Sequence, residues 1–324
     1  MKASLIAWIL LLSPALAQDA VEPAPVEEAA VIVVPVGSLI SQAAMDGATG
    51  VVVTAKDLYR VDAERALHRV ADAPASPCID AARRGERVVL LLRAKERREA
   101  LLLLDIASGE PIARYEFEAR ARRDVGFIDD ERVWVLTGRD CEIIALESGE
   151  VVHRMEAGGG VLMAGFLQDG KLYGAREYAG GIAVFDLATG TLDEMIDTRD
   201  WLFGIQMVGT LAIGMTAGHG YVTFDLSDRP PPPEPVPEGN PIHDDWKGTQ
   251  MPVDEELGAV RGLLVRADSA IFATFPDAVA RLGPDLAPIA VERLSERVPG
   301  PMVGFLGDRV VLRSDDALYF VSVE

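Results

Sequence analysis

A module of about 40 residues, copied along most of the chain, limits this sequence to a small set of architectures. Its clearest copy is residues 160–197, GVLMAGFLQDGKLYGAREYAGGIAVFDLATGTLDEMID. It reads as four short strands, at 161–168, 171–175, 181–187 and 191–196, joined by tight connections rich in Gly and Asp. Runs of that length with that punctuation signal successive antiparallel hairpins. Two registers count the copies. An inner-strand glycine followed by a large apolar residue recurs at Gly126, Gly165, Gly204, Gly262 and Gly304, with spacings of 39, 39, 58 and 42. An apolar residue before the outer turn recurs at Val61, Ile106, Leu146, Leu187, Leu226, Leu282 and Val321. Both registers stretch at the same place, and the second has seven positions. The expected fold is therefore all-β, a seven-bladed β-propeller.

The final copy ends after three strands, and residues 30–36 (AVIVVPV) form a spare strand at the opposite end of the chain. Pairing of 30–36 with 317–323 would close the ring and remove an open sheet edge. The unbroken aliphatic runs 88–92 and 101–104 fit strands covered on both faces by neighbouring blades. The extra length in both registers falls at about 228–256, which contains RPPPPEPVPEGNP. Four consecutive prolines cannot donate to a ladder and favour an extended polyproline segment. This reads as a solvated insertion in blade five, with a docking arm as the functional alternative.

Residues 1–17 have the build of an export signal, with Lys2, an apolar stretch at 5–12 and a small-residue Ala-Leu-Ala site. The apolar stretch is too short to span a bilayer. No cysteine follows it, so lipid anchoring is not signalled. Cleavage near Ala17 would leave an acidic linker at 18–29, a propeller at 30–324, and a protein of the periplasm or the exterior. Lys and Arg number 31 against 51 Asp and Glu, a net charge of −20. Such a body disfavours nucleic acid and anionic membrane as general partners.

At the outer turns the chain reads LDIASGE (104–110), ALESGE (145–150) and FDLATG (185–190). These turns resemble the pyrroloquinoline-quinone-type and related WD-like propeller repeats, in which a strand ends in Asp and turns through Ser/Thr-Gly. The resemblance covers three blades well and implies a propeller fold. In the quinoprotein enzymes of that group a tryptophan stands four residues after the turn glycine and docks on the next blade. Here those positions hold Ala113, His153 and Glu194, so the resemblance gives no reason to expect a bound quinone. The outer-membrane assembly propeller lipoprotein belongs to the same broad group but carries an anchoring cysteine that this chain lacks.

The residues that could carry chemistry are few. His68 and His153 occupy one register position in different blades and cannot converge on a metal. His219 and His243 have no spaced partner. No HExxH, Walker loop, GxSxG elbow or calcium loop occurs. No cofactor, metal or catalytic residue is expected. Cys78 and Cys141 would lie at one rim of adjacent blades. In an exported protein a bridge and two separate buried thiols both stay open, the bridge requiring Cα atoms within about 7 Å. On the same rim, the turns between second and third strands hold Lys56, Lys95, Arg97, Arg98, Arg139, Arg176, His219 and Arg313. Tyr178 and Trp201 would add amphipathic contact area there. A ring of cations on an acidic body suits an acidic partner segment or anionic ligand. Paired surface turn residues are the plainer account, since acids follow Lys56, Arg139 and Arg176.

The expectation is an exported, monomeric, non-catalytic scaffold that binds a protein of the cell envelope. Arg97, Arg139, Arg176, Tyr178, Trp201 and His219 would mark its interface. The alternative is a propeller enzyme of lactonase, quinoprotein or glycan-active type. That reading needs several polar side chains at one end of the central channel, and the inner strands read as almost wholly apolar or glycine, with Gln168 and Gln206 as exceptions.

Overall fold

Short segments rich in valine, leucine and isoleucine, cut by Gly, Asp and Ser, leave the chain little choice but short strands and tight turns. A computed structural model describes residues 31–93, 98–178, 180–196, 198, 200–216, 220–228, 249–251, 256–294 and 301–323. These residues contain no helix, and their strands form seven four-stranded antiparallel sheets. Blades 1 to 6 occupy 40–72, 78–118, 124–156, 161–196, 202–250 and 262–293. Blade 7 takes its first three strands from 302–321 and its outermost from Val31–Pro35. Val31 partners Val321 and Pro35 partners Ala317, so the chain's first described strand closes the ring as expected. The export signal and the linker at 18–29 lie outside the described residues.

The core is divided into layers between blades. Seven apolar clusters each mix side chains from two adjacent blades, and one joins blade 7 to blade 1. Residues 88–92 are fully buried, because both faces of a middle strand meet a neighbour. Each such Leu or Phe is worth about 1.5–3 kcal/mol on burial. The register glycines all lie on inner strands. At Gly126 the reason is a close approach: the Trp134 ring lies over it, 2.4 Å from where a Cβ would stand.

The outer turns show how the blades dock without the tryptophan. A Cβ on Gly149 would strike the Tyr115 ring of the preceding blade, and one on Gly190 would strike the His153 imidazole. The Tyr115 hydroxyl also donates to the Leu146 carbonyl. The tryptophan is absent, and at these two joints a tyrosine and a histidine ring pack against the turn glycine instead. His153 thus packs at a joint, although its residue stays exposed.

Most of the proline-rich insertion lies outside the described residues. It interrupts blade 5 between the third strand, Tyr221–Asp225, and a two-residue fourth strand, Thr249–Gln250. Cys78 and Cys141 are both free. The bridge left open above is not formed, because Cys78 packs in the layer between blades 1 and 2 and Cys141 in that between blades 3 and 4. Burial pushes the Cys78 thiol pKa up to about 12 and that of Cys141 further.

Candidate rim cleft on blades 2 to 4

The connection from blade 2 to blade 3 reads Ala-Arg-Ala-Arg-Arg, residues 119–123, three cations without an acid in an acidic chain. Its middle arginine points inward. Arg122 donates to Glu142 through Nε (3.1 Å) and Nη2 (2.7 Å), and to Glu99 through Nη1 (2.9 Å). Its guanidinium also lies 4.7 Å from the Phe117 ring centroid. Glu142 is completely buried and takes a second cation, Arg154, at 2.9 Å. The Glu99 carboxylate accepts the backbone N–H of Arg120 and of Arg122, both at 3.1 Å. Between them Ala121 sits at φ +56°, a left-handed conformation that costs a residue with a Cβ about 1–2 kcal/mol.

With Arg122 turned in, Arg120 and Arg123 stay at the surface. A cleft of about 870 Å³ runs over the connection, lined by Ile79, Arg93, Arg98, Arg123 and Met163 among others. A second hollow of about 520 Å³ shares Ala121 and Arg123 with it and adds Arg120, Gly138, Arg139 and Val161, together with the carboxylates of Asp140 and Glu156. Arg139 stands on a turn fixed by the Thr137 hydroxyl, which accepts the N–H of Arg139 and of Asp140. Asp140 does not pair with its neighbour. Its partner is Arg120, at 3.4 Å. Among the described residues, Arg93, Arg123 and Arg139 have no carboxylate within ion-pair distance. Tyr178 and Trp201 line neither hollow; they are 62% and 47% exposed, their ring centroids 5.4 Å apart and tilted by 60°, and Arg123 is near enough to act on the Tyr178 hydroxyl. Glu177 hydrogen-bonds the Tyr178 hydroxyl and raises its pKa, against a smaller opposing pull from Arg123.

The expected ring of cations is thus an arc. Arg176 is corrected: it is buried, and its Nε and Nη2 donate to the Gly159 carbonyl. It lies inside the strand Lys171–Glu177 instead of tipping the turn, and its side chain ties down the connection between blades 3 and 4. Arg313 is likewise engaged, donating to the carbonyls of Ile40 and Ser41 across the ring closure. Arg97 and His219 lie outside the described residues. Arg139, Tyr178 and Trp201 are exposed. Sequence reasoning missed residues 119–123, although a basic run amid an excess of acids was the available signal.

It also missed two carboxyls on the inner strands. Asp80 and Asp124 hold the same position in blades 2 and 3, partnering Leu91 and Leu136. Asp80 accepts the Val125 N–H at 3.0 Å and Asp124 the Gly165 N–H at 2.7 Å, so each reaches the next blade. The carboxyls also hydrogen-bond each other, and desolvation raises both pKa values, that of Asp124 well above the usual range. The neutral amides Gln42 and Gln206 make corresponding reaches, to the Ile79 carbonyl and from the Val265 N–H.

No family model matches the chain. No curated protein matches it either. Among solved structures it resembles that of BamB from Moraxella catarrhalis, with a TM-score of 0.59 and 16% sequence identity. The match covers 88% of this chain and 86% of that one. At that identity the likeness speaks for the propeller fold.

Proposed function

We propose that this chain is an exported, monomeric propeller without catalytic machinery, and that it holds a protein partner in the cell envelope through the rim of blades 2 to 4. One observation carries the reading. Guanidinium groups without carboxylate partners gather beside an exposed Tyr–Trp pair, on a body of net charge −20. Exposed arginine and aromatic side chains are the residue types that dominate protein interfaces. A local positive arc on a negative body steers an acidic partner to that face and repels it elsewhere.

The export signal and the resemblance to outer-membrane assembly propellers support an envelope location. No helix among the described residues is long and apolar enough to cross a membrane. An enzyme reading would have to use Asp80 and Asp124. Their oxygens are taken by each other and by backbone N–H groups of the next blades, so we assign them the joining of blades.

Co-purification from the native envelope tests the proposal. The double charge reversal Arg123→Glu with Arg139→Glu is expected to lose partners that the unaltered chain retains. An unchanged set of partners, with an unchanged thermal melt, would contradict it.

A further inference from the structure

Building on that reading, we propose that the rim cleft takes an extended acidic peptide segment of its partner. Carboxylates would sit on Arg123 and Arg139, and an apolar side chain would rest on the Tyr178–Trp201 pair. Three features of the cleft point to this occupant. Its charge is fixed in place: Glu99 and Glu142 hold Arg122, Glu99 also holds the backbone of residue 120, and Ala121 is kept in a left-handed conformation between them. A buried ionic lattice and a strained backbone are costly, and strain of this kind clusters at ligand sites. Here the lattice sets the connection so that Arg123 faces the cleft. Arg122 is therefore a positioning residue and Arg123 a binding one.

The donors also suit carboxylates. A guanidinium presents a planar fork that matches a carboxylate or a phosphate in bidentate fashion. The two sources differ in what comes with the charge. A membrane or a polyphosphate brings an extended field of negative charge, which 51 acidic side chains would oppose. A peptide brings a few carboxylates to one place. Finally, the two hollows share Ala121 and Arg123 and so adjoin along the connection; the carboxylates that line them, Glu99, Asp140 and Glu156, include two already engaged by arginine, Glu99 by Arg122 and Asp140 by Arg120. An extended chain advances about 3.3 Å per residue and places alternate side chains on one face. That geometry lets one face carry acids to the arginines while a neighbouring apolar residue reaches the aromatic pair.

The test uses the full mature chain and a short fluorescein-labelled peptide alternating Glu and Val with one Phe. Binding is read by anisotropy and by the emission of Trp201, which is half exposed and so responds to cover. The expected result is saturable binding, a Trp201 shift abolished by Trp201→Phe, and affinity about tenfold lower in each of Arg123→Gln and Arg139→Gln. Glu99→Gln is expected to weaken binding while leaving the Trp201 environment of the free protein unchanged. Four outcomes would overturn the proposal: no binding, equal binding of the Gln-for-Glu peptide, unaltered affinity in both arginine variants, or preference for phosphatidylglycerol vesicles or polyphosphate over the peptide. Partner capture lost in the Arg123→Glu, Arg139→Glu chain despite a failed peptide titration would leave the scaffold reading standing and sink only the acidic-peptide chemistry.

Discussion

Arg122 shows how one side chain sets the character of the rim. Replacing it with Met keeps the bulk over Phe117 but leaves Glu142 and Glu99 buried with fewer partners. Removing one partner from a buried ionic group costs about 3–5 kcal/mol, so Arg122→Met is expected to lower the urea midpoint steeply. Arg154→Met, which takes away a 41%-exposed cation, should cost much less. The Asp80–Asp124 pair makes a prediction with a sign. Both pKa values are raised in the folded chain, so the native state binds protons that the unfolded state has released. Stability from the pair is present at acid pH and is lost as pH climbs from about 3.8 through the raised values. Asp124→Asn keeps an acceptor for Gly165 and supplies a permanent donor to Asp80. It is expected to raise the melting temperature by a few degrees at pH 8 and to flatten its pH dependence. Neither feature could be read from sequence, because both depend on which strand neighbours face each other across a joint. A lone Asp in an apolar strand announces neither its partner nor its proton.

Among the elements, the strands were legible and the connections between them less so. Alternation, length and turn residues identify a blade wherever its hairpins are tight, and the two registers placed the glycines on inner strands and the apolar positions at outer turns. The rim was harder. Arg139 and Arg176 looked alike in sequence, each before an acid near a turn. The strand Arg132–Leu136 stops three residues short of Arg139 and leaves it on the surface, whereas Lys171–Glu177 runs through Arg176 and buries it. The joints between blades give a further expectation. Gly149→Ala must displace the Tyr115 ring, whose atoms lie as close as 1.9 Å to the new Cβ position, and Gly149 itself sits at φ +73°. Overpacking and backbone strain together should cost about 2–4 kcal/mol. Tyr115→Phe, which removes only the hydroxyl bond to the Leu146 carbonyl, should cost about 1 kcal/mol. Chemical denaturation of the two variants would separate ring packing from hydrogen bonding at one joint.

Across the molecule, seven interblade layers form a circuit, and residues 31–35 return to the last blade to complete its sheet and add to the layer that joins it to the first. Without that strand, blade 7 would end in an open edge at Ala317–Val321, and blades 7 and 1 would lose Ile32 and Val34 from their shared layer. The placement of the rim arc depends on this circuit, since the arc spans three blades whose spacing the ring holds. Closure therefore underlies both the fold and the proposed interface. Native-state hydrogen exchange on the full chain tests it most directly. The account predicts that the amides of residues 31–34 that donate to 317–321 are protected to the same degree as those of the strand Arg309–Arg313, and that they exchange together with the amides of 317–321. Rapid exchange of those amides of 31–34 beside a protected 309–313 would contradict it.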